Sequence, residues 1–121
     1  MAYILAVDSG DHDRLKQELR TEGHDVAIAS SGVEALELMI DRQPDLVILD
    51  VALPDVDGPE LVQRILCLDC TLPVILYSTF SGMQDNVGQW PADSHILKSG
   101  EFTELKDEVR RHLEKRVPEY A

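Results

Sequence analysis

Asp45-Leu46-Val47-Ile48-Leu49-Asp50-Val51-Ala52-Leu53-Pro54-Asp55-Val56-Asp57-Gly58 is the stretch whose reading decides the fold. Leu46 to Leu49 are apolar without interruption, and two of them are β-branched. A short apolar run bounded by polar and turn residues reads as a strand buried on both faces of a sheet. A carboxylate, Asp50, stands at its C-terminal end. Pro54 and Gly58 shape a loop, and Pro59 opens a helix where its missing N–H does no harm. In an open α/β sheet, ligands bind beyond the C-terminal ends of the strands. Asp50 is therefore a candidate for chemistry.

The flanking sequence repeats the alternation of strand and helix. Tyr3 to Val7 is an apolar strand ending in Asp8. Leu15 and Leu19 lie one helical turn apart in Asp11 to Thr21, and Gly23 suits that helix's end. Val26 to Ala29 is a second strand. Ser31-Gly32-Val33-Glu34 has the form of a capping box. The helix it opens presents Leu36, Met39 and Ile40 on one face. Leu61, Val62, Ile65 and Leu66 repeat at helical spacing after Gly58. Val74 to Tyr77 is a fourth strand ending in Ser78-Thr79. His95-Ile96-Leu97 is a short fifth, followed by Lys98. Phe102, Leu105, Val109 and Leu113 share a helical face. Between Phe80 and Asp93 the apolar residues show no helical period, and Gly82, Gly88 and Pro91 interrupt; a short or degraded helix is expected there. Short strands alternating with helices imply a parallel sheet covered on both faces.

Composition bounds the function. The chain has 121 residues, enough for one domain with a real core, so residues 1–121 read as a single domain. Its net charge is -12 and its pI near 4.5. Nucleic acid phosphates would be repelled, so direct nucleic-acid binding is not expected. No apolar run approaches a bilayer's thickness, so no membrane partner is expected. The N-terminal residues lack the basic region of a signal peptide, and a cytoplasmic location is the expectation. Cys67 and Cys70 form a C-x-x-C pair at an expected helix end beside Asp69. That place does not favour a thiolate, and zinc would lack further ligands at suitable spacing, so the pair reads as structural. His12, His24 and His112 occur among polar residues and read as solvated.

The C-terminal strand ends of one parallel sheet share an edge. Asp8, Asp50, Ser78 and Lys98 can therefore converge. In this order, with Asp50 three residues before Leu53-Pro54 and with Asp57-Gly58 and Ala92-Asp93 in place, the chain resembles bacterial response-regulator receiver domains from Tyr3 to about Lys115. The resemblance implies a flavodoxin-like sheet of order 2-1-3-4-5 with helices on both faces. It implies a regulatory phosphoacceptor of a two-component or phosphorelay pathway rather than an enzyme. Asp50 would take a phosphoryl group from a histidine kinase or histidine phosphotransfer protein. Asp8, Asp50 and the Ala52 backbone carbonyl would hold Mg²⁺. Lys98 would neutralise a phosphoryl oxygen, and the Ser78 hydroxyl would donate to another. A switch would pair Ser78 with the residue at the family's aromatic position, here His95. A downstream protein or a fused output domain would read the result.

The departures from the pattern are specific. Receivers usually carry adjacent acids after the first strand; here Ser9 follows Asp8, and Asp11 is the next acid. Thr79 stands where a small residue is usual, and Ser99 where a proline is. Ala52 and Phe80 occupy the places whose side chains influence water's access to the phosphoryl group in this family; both are apolar, which implies slow hydrolysis. A pseudo-receiver, the same fold used as a phosphorylation-independent interaction module, is the alternative. A flavin carrier would need a phosphate-cradling loop after the first strand, and Asp8 to Asp13 is too acidic for one. A hydroxyl is a poorer Mg²⁺ ligand than a carboxylate. Titration with Mg²⁺ is expected to give a weaker affinity than that of a receiver with the full acidic pair; an equal affinity refutes this.

Overall fold

The structure is a computed structural model that describes residues 2–8, 13–50, 58–78, 92–97 and 102–115. In chain order the elements are β1 (Tyr3–Val7), α1 (Asp13–Thr21), β2 (Asp25–Ala29), α2 (Gly32–Asp41), β3 (Leu46–Leu49), α3 (Gly58–Leu68), β4 (Val74–Ser78), β5 (Ser94–Leu97) and α4 (Thr103–Lys115). The strands form one sheet of order β2-β1-β3-β4-β5, and every pair is parallel. This is the expected flavodoxin-like order. The segment expected to hold a short or degraded helix lies, up to residue 91, outside the described residues. No described helix is long and apolar enough to cross a membrane.

Alternation along the strands divides the core in two. Leu5, Val7, Val47, Leu49, Val74 and Leu76 face one side, where Ala35 and Met39 of α2 and Leu61, Val62 and Ile65 of α3 cover them. Ile4, Ala6, Leu46, Ile48, Ile75 and Tyr77 face the other, under Leu15 and Leu19 of α1 and Leu105 and Val109 of α4. The central strands β1 and β3 are buried throughout, as their unbroken apolar runs require. A fully buried Leu or Ile side chain contributes about 1.5–3 kcal/mol, so this double packing holds the sheet.

Local signals act as the sequence implies, with two differences. The Ser31 hydroxyl accepts from the Glu34 N–H at 3.1 Å, which caps α2. The reciprocal bond reaches one residue further back, where the Ser30 N–H donates to Glu34 Oε1 at 2.6 Å. Gly23 ends α1 at φ +89°, a left-handed conformation that favours glycine. On α2, however, Ile40 is 76% exposed and Val33 54% exposed. The buried stripe runs through Ala35, Leu36, Leu38 and Met39 instead. Ile40 follows Met39 around the helix by one residue, which carries it past the edge of the covered face.

Two aspartates set the strand starts by one device. Asp45, just before β3, donates its N–H to the Tyr3 carbonyl at 2.7 Å and accepts the Tyr3 N–H on Oδ2 at 2.8 Å. Asp93, just before β5, does the same to Val74, with bonds of 2.9 and 2.8 Å. Each clasp ties the first residue of one strand to the chain entering its neighbour. The register of the central strands is thereby fixed at the N-terminal edge, which decides what stands level at the other edge.

Candidate functional site

The β1 and β3 ladder ends with Val7 opposite Leu49. One further bond, from the Asp50 N–H to the Val7 carbonyl at 2.9 Å, extends it past both strands. On the other side the Asp8 N–H donates to the Ala29 carbonyl at 3.0 Å. Asp8 and Asp50 therefore stand at the same level on adjacent central strands. They also continue the same alternation, Asp8 after Ile4 and Ala6, Asp50 after Leu46 and Ile48. Asp8 is only 3% exposed, whereas Asp50 is half-buried. α1 begins at Asp13, so Asp8 does not occupy the cap position of that helix.

Asp8 is buried and Asp50 partly open, and both stand level on the sheet's C-terminal edge, which offers two hard oxygen donors as candidate metal ligands. Mg²⁺ suits such a pair, because it is commonly held by one or two carboxylates together with water. Among the described residues no cluster of three or more acids, cysteines or histidines adds to them.

Ser78 ends β4 and pairs with Leu97, the last residue of β5. Leu76, two residues before Ser78, pairs with both Leu49 and His95. The backbone of Ser78 thus reaches the same edge as Asp50. Lys98 follows Leu97 directly but lies outside the described residues, as do Ser9, Asp11, Ala52, Thr79 and Phe80. The structure brings together Asp8, Asp50 and the Ser78 backbone. His95 is half-buried on β5, and burial lowers its pKa from the ordinary histidine value. Its neighbours Ser94 and Ile96 both turn towards α4, so alternation directs His95 to the side of α2 and α3.

Comparison with known proteins follows the same arrangement. A family model, the response regulator receiver domain, matches residues 6–110. The chain is 30% identical over 114 residues to sporulation initiation phosphotransferase F of Bacillus subtilis, covering 91% of this chain and 92% of that protein. It is 35% identical over 117 residues to transcriptional regulatory protein AfsQ1 of Streptomyces coelicolor, covering 93% of this chain and 52% of that one. The chain thus spans about half the length of that regulator. Response regulator protein TrrA of Thermotoga maritima, solved in complex with Mg²⁺ and BeF, superposes with a TM-score of 0.84 at 34% identity, covering 93% of this chain and 99% of that one. TrrA solved in complex with histidine kinase ThkA superposes with a TM-score of 0.82 at 36% identity, over the same shares of each chain.

A polar cluster that sequence reasoning missed lies at the opposite edge of the sheet, at the start of β5. The Ser94 hydroxyl donates to Glu108 Oε2 at 2.6 Å and lies 2.8 Å from His112 Nε2. Arg111 pairs with Glu108 at 2.7 Å. His112 is buried, not solvated as its polar neighbours imply, because it lies on the inner face of α4 with Leu105 and Val109. The only signal was its helical spacing from those residues. His24 also differs from expectation: it is half-buried, and its Nδ1 lacks a hydrogen-bond partner. His12 lies outside the described residues.

Hydrogen bonds from Arg111 and Ser94 pull the Glu108 pKa down from 4.5 to about 2. Glu108 is therefore ionised at neutral pH, and Ser94 spends its one proton on it. His112 Nε2 must then carry the proton of its bond to Ser94. Ser, Glu and His here are wired for cohesion, because the group that accepts the hydroxyl's hydrogen bond is Glu108, whose pKa of about 2 makes it a weak base. A carboxylate with a depressed folded-state pKa stabilises the fold above its unfolded-state value, and that stabilisation disappears as pH falls through the folded-state value. Glu108→Gln is expected to be less stable than wild type at pH 6 in urea unfolding, with the gap narrowing between pH 4.5 and about 2. A gap unchanged over that range contradicts the assignment.

Proposed function

The chain belongs to the response regulator receiver domain family, and we propose that within it the protein is a phosphoacceptor that takes a phosphoryl group on Asp50. The observation that carries this reading is the level placement of Asp8 and Asp50 on adjacent strands, with Asp50 the more open of the two. The donor is a phosphohistidine on a histidine kinase or a histidine phosphotransfer protein. The complex of TrrA with ThkA and the name of the Bacillus subtilis relative support that partner class.

In the proposed transfer, an Asp50 carboxylate oxygen forms a bond to phosphorus as the phosphorus–nitrogen bond of the donor breaks. Asp8, with Asp50 and the Ala52 carbonyl, would hold Mg²⁺, which supplies positive charge against the phosphoryl oxygens. Lys98 gives a second positive charge and the Ser78 hydroxyl a hydrogen bond. His95 is the candidate second member of the switch, and its lowered pKa favours the neutral ring near pH 7. A shift of Ser78 towards the phosphoryl group would bias the β4–β5 edge and alter affinity for an output protein or domain. The curated transcriptional regulators about twice this chain's length support such an output.

Intact mass after incubation with a small phosphodonor and Mg²⁺ tests the reading. One phosphoryl adduct is expected on wild type and none on Asp50→Asn or with EDTA present. The adduct is expected to decay faster on Phe80→Glu, since the resemblance implies that the side chain at this position influences water's access to the phosphoryl group. No adduct on wild type, under conditions that label another receiver, favours the pseudo-receiver in which Ser9 has removed productive metal binding.

A further inference from the structure

Helices α1 and α4 cover the same face of the sheet, and three contacts join them in one register. The Arg14 guanidinium carbon lies 5.4 Å from the centroid of the Phe102 ring. Lys106 Nζ pairs with Glu18 at 2.7 Å, and Arg110 with Glu22 at 2.9 Å. Each rung is four residues beyond the last on both sides, so the helices run parallel with their facing sides in step. The two ion pairs do not set that step by themselves. A slip of one turn would again bring an acid to a base, Glu18 to Arg110 or Glu22 to Lys106. It would also bring Arg14 to Lys106 or Glu18 to the Phe102 ring, two contacts that charge disfavours. The register is therefore carried by Arg14 and Phe102.

This first rung lies at the C-terminal edge of the sheet, where both helices begin. Phe102 stands immediately before α4, and its carbonyl accepts the Lys106 N–H at 2.8 Å, which opens the helical ladder. Ser, Thr, Asp or Asn usually fills such a place, because those side chains cap free N–H groups. Phenylalanine offers no cap. Its ring packs on the core instead, 6.4 Å from the ring of Tyr77 and tilted 45° to it. Tyr77 is buried and immediately precedes Ser78 on β4. Residues 98–101, with Lys98 among them, connect Leu97 to Phe102, and residues 9–12 connect Asp8 to Asp13, the neighbour of Arg14. Three segments that carry candidate site residues thus meet at one ring.

We propose that Phe102, held by Arg14, is a positioning residue for phosphoryl transfer to Asp50, setting Ser78 and Lys98 against the two acids. The inference rests on the phosphoacceptor reading. Asp8 and Asp50 do not depend on the rung, because the β1–β3 ladder and its extension hold them. Loss of the rung therefore slows transfer without weakening metal binding.

The test measures the rate of labelling by a small phosphodonor at saturating Mg²⁺, beside the Mg²⁺ affinity read from the Asp8 and Asp50 amide signals. Arg14→Ala and Phe102→Leu are each expected to slow labelling about two- to fivefold, the scale of a cation–π contact, with Mg²⁺ affinity unchanged. Arg14→Lys keeps a cation over the ring and is expected to label near the wild-type rate. The double variant is expected to be no slower than Phe102→Leu, because the two side chains act as one unit. Arg110→Ala loosens α4 at the far rung and is expected to label as wild type does. Undiminished labelling in both single variants, or equal slowing by Arg110→Ala, would overturn the positioning role and leave the phosphoacceptor reading standing. A wild type that takes no phosphoryl group would overturn both.

Discussion

The bond from the Asp50 N–H to the Val7 carbonyl is the constraint on which the site depends. It continues the β1–β3 ladder one step beyond the strands and holds two acids level. A slip of one residue would turn Asp50 to the opposite face and bring Leu49 or Val51 beside Asp8. The slip is opposed by burial, since every residue of β1 and β3 is covered on one face or the other. It is also opposed by the clasp of Asp45 on Tyr3 at the far end. Packing and one aspartate at the base therefore position two aspartates at the top.

The two edges of the sheet divide the work. At the N-terminal edge, acids are consumed by backbone N–H groups and arginines: Asp45 on Tyr3, Asp93 on Val74, Glu108 on Arg111 and Ser94. At the C-terminal edge, Asp8 and Asp50 stand level on adjacent strands. Helix α4 links the edges to the rest of the fold. Its Lys106 pairs with Glu18 and its Arg110 with Glu22, both on the α1 side. Solvent-accessible pairs of this kind, the first partly buried and the second more open, are worth about 0–1 kcal/mol each, so they orient α4 more than they hold it. Leu105 and Val109 carry its attachment to the sheet.

Much of this was legible because the signals were long or redundant. Leu46 to Leu49, bounded by polar and turn residues, read as a buried strand, and Ser31 with Glu34 marked the start of α2. The strand order and the pairing of Asp8 with Asp50 came through resemblance, since periodicity carries no order. What escaped was set by tertiary contact. Ile40 shares its helical neighbourhood with Met39 but lies past the rim that the sheet covers. His112 is polar in sequence yet buried on the inner face of α4, where Ser94, 18 residues away along the chain, meets its ring nitrogen.

Asp8 and Asp50 are proposed to act as one metal site. Amide NMR of the chain titrated with Mg²⁺ tests it most directly, following the Asp8 and Asp50 signals in wild type and in Asp8→Asn. Both signals are expected to move along one common binding curve, and the response of Asp50 is expected to be lost or strongly weakened in Asp8→Asn. Signals that move with separate affinities, or an Asp50 response unchanged by the substitution, would contradict it.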